Sequence, residues 1–361
     1  MIRTLLARAG LVATAAGLAT LLSAAPAAAH GADAPDGTDY RTRATGVTPA
    51  RPGLEVRVVE AGARLELTNH TGRPIEVIGY SGEPYLRVGP DGVYENSRSP
   101  ATYLNRTIAG DTALPTDADP AAPPSWRRIA DGSTARWHDQ RALWQETAPP
   151  DAVRAAPDRE HRVRDWTVPL RDGADPARID GTLDWLPPPD AYTWWAVTIV
   201  GLLAVGALGL LAAASPAGSR ALSALGALLI VGGAIAVVYP VGREVDAGAR
   251  GVGGVLIGLL SGQVWSLLTG LGAIAAGCYA LARRPGADFV VALGGACLAL
   301  LAGTGNAAVF ARSIAPVPWP PEAARVMVAA LLITGAGATA AGILRLHATS
   351  RAAAAALTQP R

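Results

Sequence analysis

The chain has 361 residues, half of them hydrophobic, and a formal net charge of +2. The charge is unevenly divided: residues 30–190 hold 19 Arg and 25 Asp plus Glu, whereas residues 191–361 hold 10 Arg and 4 acidic residues. An acidic first part argues against a nucleic-acid partner, which needs a basic surface. Long apolar stretches in the second part predict a membrane protein.

Residues 1–29 have the pattern of a cleavable signal peptide. Arg3 and Arg8 give a positive start, an apolar run follows, and Ala27-Ala28-Ala29 offers a small-residue cleavage site before His30. The apolar run is shorter than the ~20 residues that a membrane span needs. Export is therefore predicted, and an uncleaved first helix is the alternative.

Residues 30–190 predict an exported, β-rich domain. Apolar and charged residues alternate in residues 54–58 and 63–67 on either side of Gly62, as in a β-hairpin. Further strand patterns lie at residues 73–80, 85–88, 93–95, 166–170 and 179–185. About seven short strands separated by Gly and Pro turns predict an immunoglobulin-like antiparallel sandwich. Residues 105–160, rich in Pro, Ala and Asp, are predicted to form a long insertion in it.

Residues 191–346 predict a bundle of about five transmembrane helices. The spans are expected near residues 193–213, 221–240, 251–282, 289–310 and 323–344. The third stretch is the ambiguous one, because it runs for more than 30 residues without a charge. One tilted helix, or one helix with a partly inserted lead, fits it better than two crossings.

The arginines predict the orientation of the bundle. With residues 30–190 outside, the inner segments carry Arg220, Arg283, Arg284 and the arginines of a cytoplasmic tail at 347–361, together with Arg345 just before it. The outer loops mix arginine with glutamate and aspartate. This is the positive-inside pattern of a multi-pass plasma-membrane protein, with the lipid bilayer as its first partner.

Gly254, Gly258 and Gly262 repeat every four residues in the third apolar stretch. This spacing lets two helix backbones approach closely in a membrane. Packing within the bundle is the simpler interpretation, and a homodimer face is the alternative.

His30 is the most specific candidate for chemistry. After cleavage it would be the first residue, offering its α-amine and a ring nitrogen to one metal ion, a pairing that suits copper. The sequence Ala-Ala-Ala-His, followed by a sandwich and several helices, resembles bacterial periplasmic copper-resistance proteins and their membrane-fused relatives. That resemblance implies a copper ligand at His30, and the alternative is a terminal histidine without a role.

The segment 136–144, Arg-Trp-His-Asp-Gln-Arg-Ala-Leu-Trp, contains the second candidate, His138. Together with residues 65–103 and 166–169, the segment resembles a group of uncharacterised actinobacterial membrane proteins with an extracytoplasmic β-sandwich. His138 is a tentative second metal ligand. The alternative is a loop whose tryptophans pack onto the sandwich.

Three hypotheses for function follow from these patterns. The leading one is a non-enzymatic binding or assembly role in the cell envelope, with copper handling as its most concrete form and envelope proteins as possible partners. The second is a transport component, which predicts a cavity lined by Gln263, Thr304 and Asn306. The third is an envelope enzyme, for which no catalytic residues stand out in the sequence.

Overall fold

A computed structural model describes residues 35–357, with side chains through residue 352. The predicted signal peptide and His30 therefore lie outside the described residues. Within them, a sheet domain extends to Trp185 and a helical bundle begins at Ala191.

Within the described residues, the sheet domain contains ten strands, two short α-helices and one 3-10 turn, Glu60–Gly62. The strands are β1 Tyr40–Thr48, β2 Leu54–Val59, β3 Arg64–Asn69, β4 Ile75–Ile78, β5 Pro84–Gly89, β6 Gly92–Asn96, β7 Trp126–Ala130, β8 Thr134–Trp137, β9 His161–Asp172 and β10 Asp175–Trp185. The two helices are α1 Ala101–Leu104 and α2 Asp151–Ala155.

The ten strands form two antiparallel sheets that enclose one core. Seven strands pair in the order β1-β10-β9-β4-β5-β6-β7, and three pair in the order β2-β3-β8. Leu65, Leu67 and Trp137 from the smaller sheet pack with Ile75, Ile179 and other buried residues of the larger one. Burial of these two apolar faces against each other is the main stabilising term of the domain.

The strand patterns of the sequence are confirmed where alternation and turn residues coincide. β2 and β3 form the expected hairpin, in which Leu54 pairs with Asn69 and Val59 with Arg64. β5–β6 and β9–β10 form two more hairpins. Of the expected immunoglobulin-like sandwich, the structure confirms an antiparallel domain of two sheets.

The segment 105–160, predicted to be an insertion, contributes a strand to each sheet. β7 pairs with β6 in the larger sheet, and β8 pairs with β3 in the smaller one. β7 is an edge strand whose side chains are almost all exposed, so it has no apolar alternation to detect. β1 was missed for a similar reason: it is mostly polar, and its pairing with β10 defines it.

Among the described residues, the bundle consists of six α-helices and three other helical segments, of which the first is the 3-10 turn Leu208–Leu210. The α-helices are α3 Ala191–Ala207, α4 Pro216–Asp246, α5 Gly251–Gly262, α6 Val264–Leu281, α7 Ala287–Cys297 and α8 Pro321–Leu357. After α7 the chain continues as a π-helix, Leu298–Gly303, and then as a 3-10 helix, Thr304–Ala311.

Within residues 35–357, five helical segments are long and apolar enough to cross a membrane, as the sequence predicted. They are Ala191–Leu210, Pro216–Asp246, Val264–Leu281, Ala287–Ala311 and Pro321–Ala352. Two boundaries differ from the expected ones. α4 runs six residues past Pro240, and the residues expected to form a tail from 347 continue α8 as far as Leu357.

The long uncharged stretch at 251–282 is two helices. α5 ends at Gly262, and Gln263 separates it from α6. Twelve residues of α-helix extend about 18 Å, too short to cross a hydrocarbon core of about 30 Å. The structure therefore matches the second expected alternative: one helix long enough to span, α6, is preceded by a shorter helix, α5.

Glycine pairs allow α4 and α6 to pack closely. A Cβ atom at Gly226 would lie 2.8 Å from the carbonyl oxygen of Gly277, and one at Gly233 would lie 2.5 Å from that of Gly270. Only glycine fits where two helix backbones come this near.

Candidate functional site

His138 follows β8 and is almost completely buried, with 1% of its surface exposed. Its Nδ1 lies 2.8 Å from the carbonyl oxygen of Ala63, and its Nε2 lies 3.1 Å from Nε of Arg64. Arg64 donates to Nε2, so Nδ1 carries the hydrogen of a neutral ring and donates to Ala63. Both ring nitrogens are thus engaged within the protein, and the surroundings of His138 do not fit a metal ligand.

The other histidines of the sheet domain do not complete a metal site with it. His70 lies exposed in the turn after β3. His161 begins β9, and its Nε2 is 2.7 Å from the carbonyl oxygen of Ala156. Within residues 35–357, no group of three or more His, Cys, Asp or Glu side chains is placed to hold a metal ion. The copper hypothesis therefore depends on His30, which precedes the described residues.

The sheet domain is joined to the bundle through buried polar contacts. Thr38 forms a two-hydrogen-bond β-bridge with Ile314, in the loop before α8. The neighbouring Asp39 accepts hydrogen bonds from Arg312 and from the backbone N–H of Ser313, both at 2.8 Å. Because Asp39 is 3% exposed, this ion pair is shielded from solvent on the carboxylate side.

A second contact involves the β2–β3 turn. Glu60 and Ala61 in this turn have φ angles of 56° and 52°, a left-handed conformation that non-glycine residues rarely adopt. The backbone N–H of Ala61 donates to Asp246 Oδ2 at 2.7 Å, at the end of α4. The strained turn is thus held by a residue of the bundle.

Glu66 on β3 binds three arginines at once. Its carboxylate accepts from Arg57, Arg136 and Arg250 at 2.7, 2.6 and 2.9 Å. Burial opposes ionisation of Glu66, but the hydrogen bonds from the three guanidinium groups outweigh it, so the pKa of Glu66 is lowered. Arg57 lies on β2 and Arg136 on β8, the two neighbours of β3, and Arg250 immediately precedes α5. The carboxylate of Glu66 therefore links the three strands of the smaller sheet to the bundle.

An aromatic cleft lies beside these contacts. It has a volume of about 270 Å³ and is lined by Pro35, Thr38, Tyr40, Thr42, Leu143, Trp144 and neighbouring residues. The rings of Tyr40 and Trp144 are stacked with centroids 6.0 Å apart. Burial, followed by the charge of Asp39, raises the pKa of Tyr40 to about 12, so its hydroxyl is a neutral hydrogen-bonding group at neutral pH. The volume approaches the lower end of small-molecule binding sites.

A polar cavity lies inside the bundle, at the end nearer the sheet domain. Tyr239, Arg243, Gln263, Ser266 and Asn306 line it together with apolar residues, and its volume is about 10 Å³. Each of these five residues is at most 7% exposed. Arg243 donates to Asn306 Oδ1 at 3.2 Å and to the carbonyl oxygen of Pro35 at 3.4 Å. Pro35 also lines the aromatic cleft, so its hydrogen bond with Arg243 connects the cleft to the polar cavity.

The transport hypothesis predicted a cavity lined by three named residues, and two of them line this one. Gln263 and Asn306 line it, as expected, but Thr304 does not, because its hydroxyl donates to the carbonyl oxygen of Leu300 and is exposed. A volume of about 10 Å³ holds no more than one water molecule. The bundle in this conformation therefore offers no chamber for a larger solute at that position.

The three glycines spaced by four residues on α5, Gly254, Gly258 and Gly262, face other residues of this chain. A Cβ atom at Gly258 would collide with the carboxylate of Glu244 on α4, and the same side chain is the nearest group to Gly262. Gly258 and Gly262 thus face α4, and Gly254 faces Ala249 in the loop after α4, in agreement with packing inside the bundle. The homodimer face draws no support from this arrangement.

Comparison with models of known families, with curated proteins and with solved structures gave no match. The site must therefore be interpreted from its own geometry.

Sequence reasoning missed Tyr239 and Arg243, the central residues of the polar cavity. The sequence predicts that the second span ends at Pro240, which places Arg243 in an outer loop. A proline is compatible with a helix that its neighbours stabilise, and α4 continues through it to Asp246. The four-residue spacing of Tyr239 and Arg243, which puts both on one face of a helix, was the available indication.

Proposed function

We propose that this protein is a multi-pass protein of the plasma membrane with a non-enzymatic binding role in the cell envelope. The supporting observation is the aromatic cleft. One of its walls is formed by residues 35–40, a segment that also forms hydrogen bonds to the bundle. Pro35, Thr38 and Tyr40 line the cleft, while Pro35 and Thr38 also contact Arg243 and Ile314. A ligand in the cleft would touch residues that the bundle holds in place.

The distribution of charge supports an outward-facing sheet domain. Arg345 donates to Asp288 at 2.6 Å and to the carbonyl oxygen of Gly218, so these residues lie together at the bundle end remote from the sheet domain. Among the described residues, the charged side chains of the bundle at that end are Asp288 and five arginines: Arg220, Arg283, Arg284, Arg345 and Arg351. The end near the sheet domain mixes both signs. Arginine excess marks the cytoplasmic side of membrane proteins.

Cysteine accessibility tests this orientation. Cys278 and Cys297 are replaced by alanine, and single cysteines are placed at Asp131, in the exposed β7–β8 turn, and at Ser350, near the end of α8. With a membrane-impermeant maleimide on intact cells, we expect labelling of D131C at once and of S350C only after permeabilisation. The reverse pattern would put the sheet domain in the cytoplasm and end the proposal.

Copper is the ligand that the sequence suggests most concretely. His30 precedes Pro35, which lines the cleft, by five positions in the sequence. An N-terminal histidine binds Cu(II) through its α-amine and ring nitrogen. Trp144 lines the cleft, and Cu(II) bound close to a tryptophan quenches its emission.

The experiment is a Cu(II) titration of the mature full-length protein in nanodiscs, followed by fluorescence. We expect saturable quenching at one equivalent of metal, abolished in His30→Ala and reduced in Trp144→Phe. Trp265→Phe, which removes an exposed tryptophan at the start of α6, should leave the quenching by His30-bound copper largely unchanged. Quenching that persists in His30→Ala would remove copper from the proposal.

A further inference from the structure

A groove on the outer surface of the bundle runs between α6 and α7. Its volume is about 470 Å³, which lies within the roughly 300–1,000 Å³ of ligand sites in proteins. Apolar side chains that are more than half exposed form its rim, among them Trp265, Leu268 and Leu293. Since α6 and α7 belong to segments that are long and apolar enough to cross a membrane, this groove would face lipid.

The groove is open because the two helices touch at one level and leave space at the next. A Cβ atom at Gly294 on α7 would lie 2.8 Å from that of Ala276 on α6, whereas one at Gly272 would meet nothing within 4 Å. After α7 the chain continues as the π-helix Leu298–Gly303, whose Leu301 lines the groove. A π-helix is rare and frequently lies at a functional site.

The lining and shape of the groove indicate what fills it. Its alanine, glycine, leucine and valine side chains offer water no hydrogen bond, and an empty groove would forfeit van der Waals contacts. Trp265 and Tyr279 both line it and lie about 21 Å apart along the axis of α6. The mean cross-section is therefore on the order of 20 Å². A helix about 10–12 Å wide has a cross-section of about 80–110 Å², so a single hydrocarbon chain fits this space better than a helix.

Two arginines lie just beyond one end of the groove. Arg283 and Arg284 follow α6 within five residues of Tyr279, whose hydroxyl donates to a backbone carbonyl of the same loop at 2.8 Å. Both arginines are exposed, and neither forms an ion pair with a carboxylate that the structure describes. Asp288, the nearest acidic residue in the sequence, accepts from Arg345 at 2.6 Å. Positive charge is thus available next to the apolar groove.

We propose that this site binds one anionic phospholipid, with an acyl chain in the groove and the headgroup at Arg283 and Arg284. Any lipid chain could fill the apolar part, so the two arginines provide the preference for a negatively charged headgroup. Basic pockets between transmembrane helices bind such headgroups, and each arginine strengthens binding about fivefold.

The first experiment tests the headgroup preference. Native mass spectrometry of the full chain in detergent measures the bound lipid as phosphatidylglycerol or phosphatidylcholine with the same acyl chains is added. We expect one phosphatidylglycerol to bind about 25-fold more tightly than phosphatidylcholine. Arg283→Asn combined with Arg284→Gln should abolish this preference. Asparagine is chosen because Arg283 has a φ of 51°, which asparagine tolerates. Arg351→Gln, at an exposed position of α8, is the control and should keep the preference.

The second experiment fills the groove. Gly272→Leu places a side chain in its open space and should weaken binding of both lipids. Gly253→Leu is the matched control, because it adds the same side chain at an exposed glycine of α5 with nothing within 4 Å, and it should bind lipid as the wild type does. Phosphatidylglycerol with a diazirine in its acyl chain should crosslink to α6 and to the π-helix Leu298–Gly303 in the wild type, but not in Gly272→Leu.

Three results would overturn the proposal. The wild type could bind both lipids equally, or Gly272→Leu could bind them as the wild type does. A preference for phosphatidylglycerol that survives the loss of both arginines would place the headgroup elsewhere. A dimer that is present in the wild type and lost in Gly272→Leu would assign the groove to a second copy of the chain instead.

Discussion

Asp39 and Arg312 form an ion pair that joins the start of the sheet domain to the loop before the last helix. Arg312 Nη1 lies 2.8 Å from Asp39 Oδ2, and the other carboxylate oxygen accepts from the N–H and hydroxyl of Ser313. The two residues are 273 positions apart in the chain. This contact and the Thr38–Ile314 bridge join the sheet domain to the bundle.

Asp39→Asn should loosen that junction. The amide keeps the shape of the carboxylate but removes its charge and replaces one acceptor by a donor, and hydrogen bonds to charged groups contribute about 1.5–3 kcal/mol each. We expect a lower unfolding midpoint and faster hydrogen exchange in residues 35–48. Asp131→Asn alters an exposed ion pair with Arg128 and should change neither. Equal behaviour of the two variants would mean that Asp39 does not hold the junction.

The Glu66 cluster predicts a pH dependence. The pKa of Glu66 lies below the ordinary value of 4.5, so the unfolded chain takes up a proton at higher pH than the folded one. The stabilisation is fully present above the unfolded pKa and is lost as pH falls through the lower, folded value. Unfolding midpoints measured from pH 7 down to about pH 3 should show this loss.

Glu66→Gln should reduce that acid-dependent loss, because the variant has no carboxylate to protonate at this position. It should also be less stable than the wild type at pH 7, where three arginines lose their shared anion. Glu55→Gln, on the exposed side of β2, is the control and should keep the wild-type pH profile. A Glu66→Gln profile parallel to that of the wild type would contradict the assignment.

Gly270 and Gly272 on α6 provide a matched test of helix packing. A Cβ atom at Gly270 would lie 2.8 Å from the carbonyl oxygen of Gly233, whereas nothing lies within 4 Å of one at Gly272. Gly270→Ala should therefore force α4 and α6 apart and destabilise the protein by about 1–3 kcal/mol. Gly272→Ala should be neutral or slightly stabilising, because alanine favours a helix. Thermal unfolding of both variants in the same lipid compares them directly.

Arg345 should not tolerate lysine. It is 3% exposed, and its guanidinium reaches Asp288 through Nε and the carbonyl oxygen of Gly218 through Nη1. An ammonium group lacks this forked geometry, and breaking a buried pair costs about 3–5 kcal/mol. We expect Arg345→Lys to lower the unfolding midpoint clearly, while Arg351→Lys, at an exposed position, should match the wild type. A neutral Arg345→Lys would show that charge alone suffices.

Several elements could be predicted because their determinants are local. The five spanning segments follow from runs of about 20 apolar residues, which is what a hydrocarbon core requires. The hairpin β2–β3 follows from alternation on both sides of Gly62. Gln263 and Asn306 could be picked out as candidates because polar residues are conspicuous in apolar spans.

The sequence by itself therefore determined the division into a polar, β-rich part and an apolar, helical part, because burial in lipid or in a sheet core imposes a pattern on consecutive residues. Only the tertiary structure decided that β1 and β7 are strands, that α5 and α6 separate at Gln263, and that Tyr239 and Arg243 meet Asn306. Edge strands gain their hydrogen bonds from distant partners, and a buried arginine is stable only where distant acceptors converge on it. Such pairings leave no mark on the spacing of neighbouring residues.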